Sequence, residues 1–199
     1  MARYKEEERV KIKEKTRQQL LAAATIEFAK NGYDGTNVNS ISLRAGYAKG
    51  TVYNHFASKR DLMSQLILVI AATHLDFISE RVRSERSASQ RLHQFFEAGS
   101  DFVETHLPQA KVMVNNVYGP DPEFRQETYQ AYLPMFDLVG VDIISRGIEQ
   151  RSFRPVDITS TAAMLMNFYL GVASQVDELG RPWIPPGQVA DFILNGLRS

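Results

Sequence analysis

Apolar residues recur along this chain at spacings of three and four, and no stretch alternates strictly between apolar and polar with turn signals at its ends. That pattern predicts helices throughout. Leu20, Ala24 and Phe28 share one face of a helix read over Ile12 to Lys30, which Asn31-Gly32 closes as a left-handed C-cap. After the turn Tyr33-Asp34-Gly35, Thr36 or Asn37 can cap a short helix that points Val38, Ile41 and Ala45 inward. Gly46 allows the positive φ of a tight turn, and a third helix over Ala48 to His55 anchors on Val52 and Phe56. Three small helices sharing one apolar cluster make a helix-turn-helix module. Its second paired helix, carrying Lys49, Thr51, Tyr53, Asn54 and His55, suits a DNA major groove.

Ser58 and Asp61 have capping-box spacing, so a new helix starts there and runs to about Arg83. Leu62, Leu66, Val69, Thr73 and Phe77 form one stripe, and Ile67, Leu68 and Ile70 make its middle apolar all round, which predicts packing on every side. Ser87 and Gln90 open the next helix, through Leu92, Phe95, Phe96 and Phe102 to His106. Pro108 suits the first turn of a helix ending near Tyr118, and Gly119-Pro120-Asp121-Pro122 breaks the chain. A helix from Glu123 to Gln150, bent at Pro134, is followed by one from Ile158 to Leu179 capped by Asp157, and by a last one from Pro186 to Leu197. The expected architecture is all-α with about nine helices, a DNA-binding module over residues 1–57 and a helical domain over 58–199.

Composition alters this picture in three places. The apolar content of 44% is that of an ordinary globular protein, and with no cysteine there is neither a disulfide framework nor a thiolate metal site. The N-terminus lacks the apolar core of a signal peptide, and the run Leu66 to Ala72 is too short to span a bilayer, so a cytoplasmic protein without membrane association is expected. The net charge of zero hides an asymmetry. Residues 1–60 hold 12 Lys and Arg against six Asp and Glu, and the remainder carries the opposite imbalance. A basic first third on an acidic body fits a local polyanion-binding surface. Arg44 reads as a solvated helix end.

The segment GYDGTNVNSISLRAGYAKGTVYNHFASKRDL resembles the DNA-binding signature of the TetR family of bacterial transcriptional regulators, and TRQQLLAAATIEFAKNGY resembles that family's first helix. The resemblance is specific over Thr16 to Leu66; beyond it, only helix pattern and length agree. It implies a C-terminal domain for ligand binding and dimerisation, and a homodimeric repressor that leaves a pseudo-palindromic operator when a small molecule binds. It also implies roles. Lys49 would meet a phosphate or guanine edge, Gly50 would let the backbone approach DNA, and Thr51 would touch base edges. Tyr53, His55 and Lys59 would hold phosphates, joined by Asn54, while Thr36, Asn37, Asn39 and Ser40 would touch backbone or flanking bases. Asn39 stands where relatives often carry Arg, and Tyr47, another contact candidate, where they often carry a small residue. Base preference therefore does not transfer.

In the body, polar groups among apolar neighbours are candidate effector contacts: His74, His106, Asn116, Tyr132 and Asn167, with Phe95, Phe102, Met113, Phe136 and Phe168 as lining. His93, Tyr118, Tyr129, Tyr169 and Met164 belong to the same broader set. Ordinary core packing is the competing explanation for each. Ala162, Ala163, Met166, Leu170 and Ala173 form one small-and-apolar stripe, with Val176 at its end. Val189, Phe192, Ile193 and Leu197 form another, and both could pair across a two-fold axis. The four histidines are scattered without metal-ligand spacing, no cofactor fingerprint is present, and no catalytic motif argues for an enzyme. A DNA-binding architectural protein without an effector is the alternative, and a cavity lined by these aromatics would count against it.

Overall fold

The computed structural model describes residues 2–198, with side chains from Glu7 onward. Among the described residues it is all-α: eleven α-helical segments and one π-helical stretch, with isolated bridges pairing Phe153 with Arg198 and Val176 with Pro182. The chain forms two compact units that divide inside the fourth helix, one ending at Leu68 and the other beginning at Val69. The division falls later than residue 57 because the first turns of that helix belong to the first unit's core.

In the first unit, α1 (Ala2–Gly35) breaks at Gly32, whose φ is 68°. It begins well before Ile12, and within it Glu14 meets Arg17 at 3.9 Å and Gln18 at 3.4 Å, one turn away. α2 (Val38–Arg44) is capped by Asn37, whose side chain accepts the Asn39 N–H at 2.8 Å. Gly46, at φ 76°, then closes α2 in a Schellman turn: Tyr47 N–H donates to Ser42 O at 2.9 Å and Gly46 N–H to Leu43 O at 3.1 Å. α3 (Lys49–Tyr53) is shorter than expected, since Asn54 ends it and His55 N–H turns back to Val52 O at 3.0 Å. Leu20, Ala24, Phe28, Ile41, Val52, Phe56, Leu62 and Leu66 are its buried core. Arg44 is not merely solvated. Its Nε donates to Glu27 Oε1 at 2.6 Å, and that bond holds the buried Glu27 carboxyl below its ordinary range.

α4 (Lys59–Ser84) opens with Ser58 Oγ accepting the Asp61 N–H at 3.0 Å, while Asp61 accepts the Ala57 N–H at 2.8 Å. By length and composition it is apolar enough to cross a membrane, although the run Leu66 to Ala72 alone is too short. Burial accounts for that composition: Leu62, Met63 and Leu66 are buried in the first unit, and Ile70, Ile78 and Val82 in the second. Packing on every side is not observed, because Leu68 and Val69 are exposed.

The second unit comprises the rest of α4 with α5 (Ala88–Thr105), α6 (Leu107–Tyr118), α7 (Pro122–Ala131), α8 (Leu133–Asp137), α9 (Arg146–Glu149), α10 (Ile158–Ser174) and α11 (Pro186–Leu197). The single bent helix expected over Glu123 to Gln150 is instead four segments. Tyr132 interrupts it, Pro134 restarts it, and Leu138–Ser145 winds as a π-helix between α8 and α9. Leu138 with Ile143 and Val139 with Ile144 are five residues apart and all buried, so the π period brings both pairs onto the core face. α10 also ends earlier than Leu179, at Ser174.

Arg91 is buried, and its partners hold the π stretch against α5. Nη1 donates to Asp142 Oδ1 at 3.2 Å and to Asp142 O at 3.1 Å, and Nε donates to Glu85 O at 2.8 Å. Removing the carboxylate leaves a buried guanidinium without its counter-charge. Asp142→Ala should cost about 2 kcal/mol or more in urea denaturation. Arg83→Ala, which removes the exposed partner of the same carboxylate at 3.1 Å, should cost about 0.5 kcal/mol or less.

Candidate functional site

The first unit exposes one short helix with free polar groups. On α3 and at its C-cap, Lys49, Gly50, Tyr53 and Asn54 are exposed and Thr51 is half-buried, while Val52 fixes the helix to the core. Among the described residues, Lys49, Thr51, Tyr53 and Asn54 make no side-chain hydrogen bond within the protein, nor does the exposed Asn39. These are the groups left available to an external partner.

Several other expected contact residues are occupied inside the module. Thr36 is buried, and its hydroxyl donates at 2.6 Å to Gly32 O and lies 3.1 Å from Glu27 O, so it ties α2 to α1 rather than reaching outward. Lys59 donates to Tyr33 O at 2.8 Å and Thr36 O at 3.0 Å and lies 4.2 Å from the Tyr33 ring centroid, so its ammonium is already solvated by protein. The Tyr47 hydroxyl donates to Gln19 Oε1 at 2.6 Å. Asn37 serves as the α2 cap, and Ser40 Oγ donates to Asn37 O at 2.7 Å. His55 is half-buried with Nδ1 lacking a partner. Burial, reinforced by Lys13 and Arg17, lowers its pKa.

The second unit contains a cavity of about 340 Å³. Its walls come from α4, α5, α6, α7, α8 and α10, with Tyr132 at the junction of α7 and α8. His74, Phe102, Met113, Tyr132, Phe136 and Asn167 line it, as expected of effector contacts, together with Tyr129 and Tyr169. Four other expected contacts do not. Phe95 is wholly buried in the core, and Asn116 is buried without being among the lining residues. His106 stacks on Phe102 with centroids 4.6 Å apart, and Phe168 is exposed, 6.4 Å from the Phe192 ring. Val103, Ala110, Val114, Val117, Arg125 and Thr128 also line it, although the sequence pattern pointed to none of them. Small aliphatics carry no distinguishing signal in sequence.

The stripes read as dimer surfaces divide differently. Ala163, Met166, Leu170 and Ala173 line the cavity; Ala162, Val189, Ile193 and Leu197 are buried in the unit's own core. The residues of each stripe share a face by helical period, and part of that face packs within this unit. Phe192 is exposed, and so are Met164 and Phe168.

The polar centre of the cavity is His74. Nδ1 lies 2.7 Å from the Tyr132 hydroxyl and Nε2 2.6 Å from the Tyr169 hydroxyl, and the ring stacks on Phe102 at 4.0 Å. Burial depresses the His74 pKa to about 3, so the ring is neutral at physiological pH, and burial raises the pKa values of both tyrosines. Tyr169 reaches this position because Gly99 has no side chain: a Cβ there would lie 2.0 Å from the tyrosine ring. Among the described residues, no group of three or more His, Cys, Asp or Glu side chains is arranged to hold a metal.

His74 links stability to pH. Its folded pKa, about 3, lies below the ordinary 6.5, so over that interval the unfolded chain binds more protons. The stabilisation is complete above the ordinary pKa and is lost as pH falls. Acidification from about pH 7 to about pH 5 should therefore remove about 2 kcal/mol through this group. Denaturation midpoints measured across that range should show the loss, and His74→Gln should flatten it.

A sequence profile of bacterial regulatory proteins of the tetR family matches residues 20–66. The chain is 30% identical over 152 residues to the transcriptional activator FasR of Mycolicibacterium smegmatis, covering 73% of this chain and 67% of that protein. It is 29% identical over 143 residues to the transcriptional repressor KstR2 of Mycobacterium tuberculosis, covering 70% of each. Two solved structures share the fold at 20% identity. The regulator FadR of Bacillus subtilis in complex with stearoyl-CoA has a TM-score of 0.76 and covers 92% of this chain and 97% of its own. AibR in complex with isovaleryl coenzyme A and operator DNA has a TM-score of 0.67 and covers 92% and 98%. With its helix-turn-helix and its match to FasR, the chain belongs to the TetR family and is a DNA-binding transcriptional regulator.

Proposed function

We propose that the protein is a cytoplasmic homodimeric repressor, released from a pseudo-palindromic operator when an apolar acyl ligand, of the coenzyme A thioester class, fills the body cavity. The observation that carries this reading is the cavity itself: a volume suited to a small molecule, walls mainly of aliphatic and aromatic side chains, and a few polar groups. It favours a ligand-responsive regulator over an architectural DNA-binding protein. The acyl class is supported by the ligands of FadR and AibR.

The DNA contacts would fall to Lys49, Gly50, Thr51, Tyr53 and Asn54 on and just after α3, with Asn39 alongside, since their outward groups are unspent. Two such helices entering successive grooves about 34 Å apart require a dimer. Its surface would be the exposed Met164, Phe168 and Phe192, rather than the buried parts of the two stripes. α4 carries both Lys59 of the module and His74 of the cavity wall, so a ligand against His74 acts on the helix that ends the DNA-binding unit.

Operator selected by the protein from random-sequence DNA should bind Lys49→Ala at least about tenfold more weakly than wild type, at unchanged melting temperature. Equal affinity in a gel-shift titration would remove Lys49 from the interface. Wild-type affinity should fall steeply with salt. Decanoyl-CoA should weaken the complex; strengthening would overturn release by ligand, and no effect over an acyl series would remove the ligand class. Phe192→Asp should sediment as a monomer, and a persistent dimer would place the interface elsewhere.

A further inference from the structure

We propose that the buried end of the cavity holds a neutral oxygen of the ligand, a carbonyl or hydroxyl on its apolar part, which accepts a hydrogen bond from the Tyr132 hydroxyl. This deepens the effector reading and rests on it.

The argument is a count of protons. A neutral imidazole has one N–H, and the two tyrosines have one O–H each. The contacts from His74 Nδ1 to Tyr132 and from Nε2 to Tyr169 use two of these three donors, whichever nitrogen carries the proton. One phenolic O–H is always left over. If Nδ1 donates, the spare proton is on Tyr132; if Nε2 donates, it is on Tyr169.

Packing decides between them. The Tyr169 hydroxyl sits over the α5 backbone, 2.6 Å from where a Cβ on Gly99 would be, and Tyr169 is 4% exposed. Both tyrosines line the cavity, but Tyr132 is half-buried and is the more open of the two to a ligand. The spare donor therefore belongs to Tyr132, with His74 protonated at Nδ1 and Nε2 accepting from Tyr169. The Thr128 hydroxyl, on a residue of the same wall, is also buried and without a partner.

The charge of the wall sets the ligand's chemistry. Arg125 is the one cavity-lining residue with a permanent charge among the described residues, and it is exposed, with Nη2 donating to Gly119 O at 2.9 Å. Tyr129, 50% exposed, marks the same open side, whereas His74 and Tyr169 are buried. A carboxylate at the buried end would meet no cation there and would be left unpaired. A neutral oxygen inside and an anionic group toward Arg125 match both ends. A plain alkyl chain would leave the Tyr132 donor unmet or served by trapped water.

The test uses the full-length protein and three probes by isothermal titration: decanoyl-CoA, its analogue with a ketone on the penultimate carbon, and S-decyl-CoA, which lacks the thioester carbonyl. One oxygenated member should bind roughly tenfold or more tightly than its deoxygenated counterpart. A preference for the chain ketone places the oxygen on the acyl chain, and a preference for decanoyl-CoA over S-decyl-CoA identifies it as the thioester carbonyl. Tyr132→Phe should abolish the preference while still binding S-decyl-CoA, and Tyr169→Phe should retain it. Equal wild-type affinity for all three probes overturns the proposal and leaves the acyl-ligand reading standing. Binding of none overturns both.

Discussion

The cavity depends on His74 remaining uncharged. A protonated imidazole held among Phe102, Tyr132 and Tyr169, with no carboxylate among the cavity-lining residues, would be a buried, unpaired charge. Kept neutral, the same ring is both acceptor and donor, and it draws two tyrosine hydroxyls from separate helical segments to one point. The site is polar at that point and greasy almost everywhere else. Gly99 contributes by having no side chain, since it leaves the space that the Tyr169 ring occupies.

The DNA-binding unit follows a different economy. Its polar side chains divide into those that satisfy the module's own backbone and those left outward. Thr36 and Lys59 converge on the end of α1 and the start of α2, where helix termini leave carbonyls unpaired. The Schellman turn at Gly46 fixes the angle between α2 and α3 without using an outward side chain. What remains on α3 is a short face whose hydrogen-bonding capacity is unmet by the protein. A surface that must recognise another molecule is best built this way, with rigid support beneath and free groups above.

Much of the fold was legible in the pattern of residues. The three small helices, the cap at Asn37, the turn at Gly46, the capping box at Ser58 and the breaks around Pro120 and Gly180 all follow from local rules, because their causes lie within a few residues of one another. The π-helical stretch was not legible as such: Leu138-Val139 and Ile143-Ile144 read equally well as part of one long bent helix. Nor could sequence separate the side chains left free on α3 from those of Thr36, Tyr47 and Lys59, which bond within the module. A threonine, tyrosine or lysine looks the same whether it faces a phosphate or a carbonyl of its own chain.

By itself, then, the sequence determined an all-helical chain, the helix-turn-helix, the family and the presence of polar groups in an apolar body. Tertiary structure decided which way each helical face turns. Ala163, Met166, Leu170 and Ala173 form one stripe by period, and only packing reveals that they line a cavity. The same holds for His74, Tyr132 and Tyr169, which are 58 and 95 residues apart along the chain as counted from His74. Periodicity reports what one helix can present to a neighbour. Which neighbour it meets is a property of the whole chain.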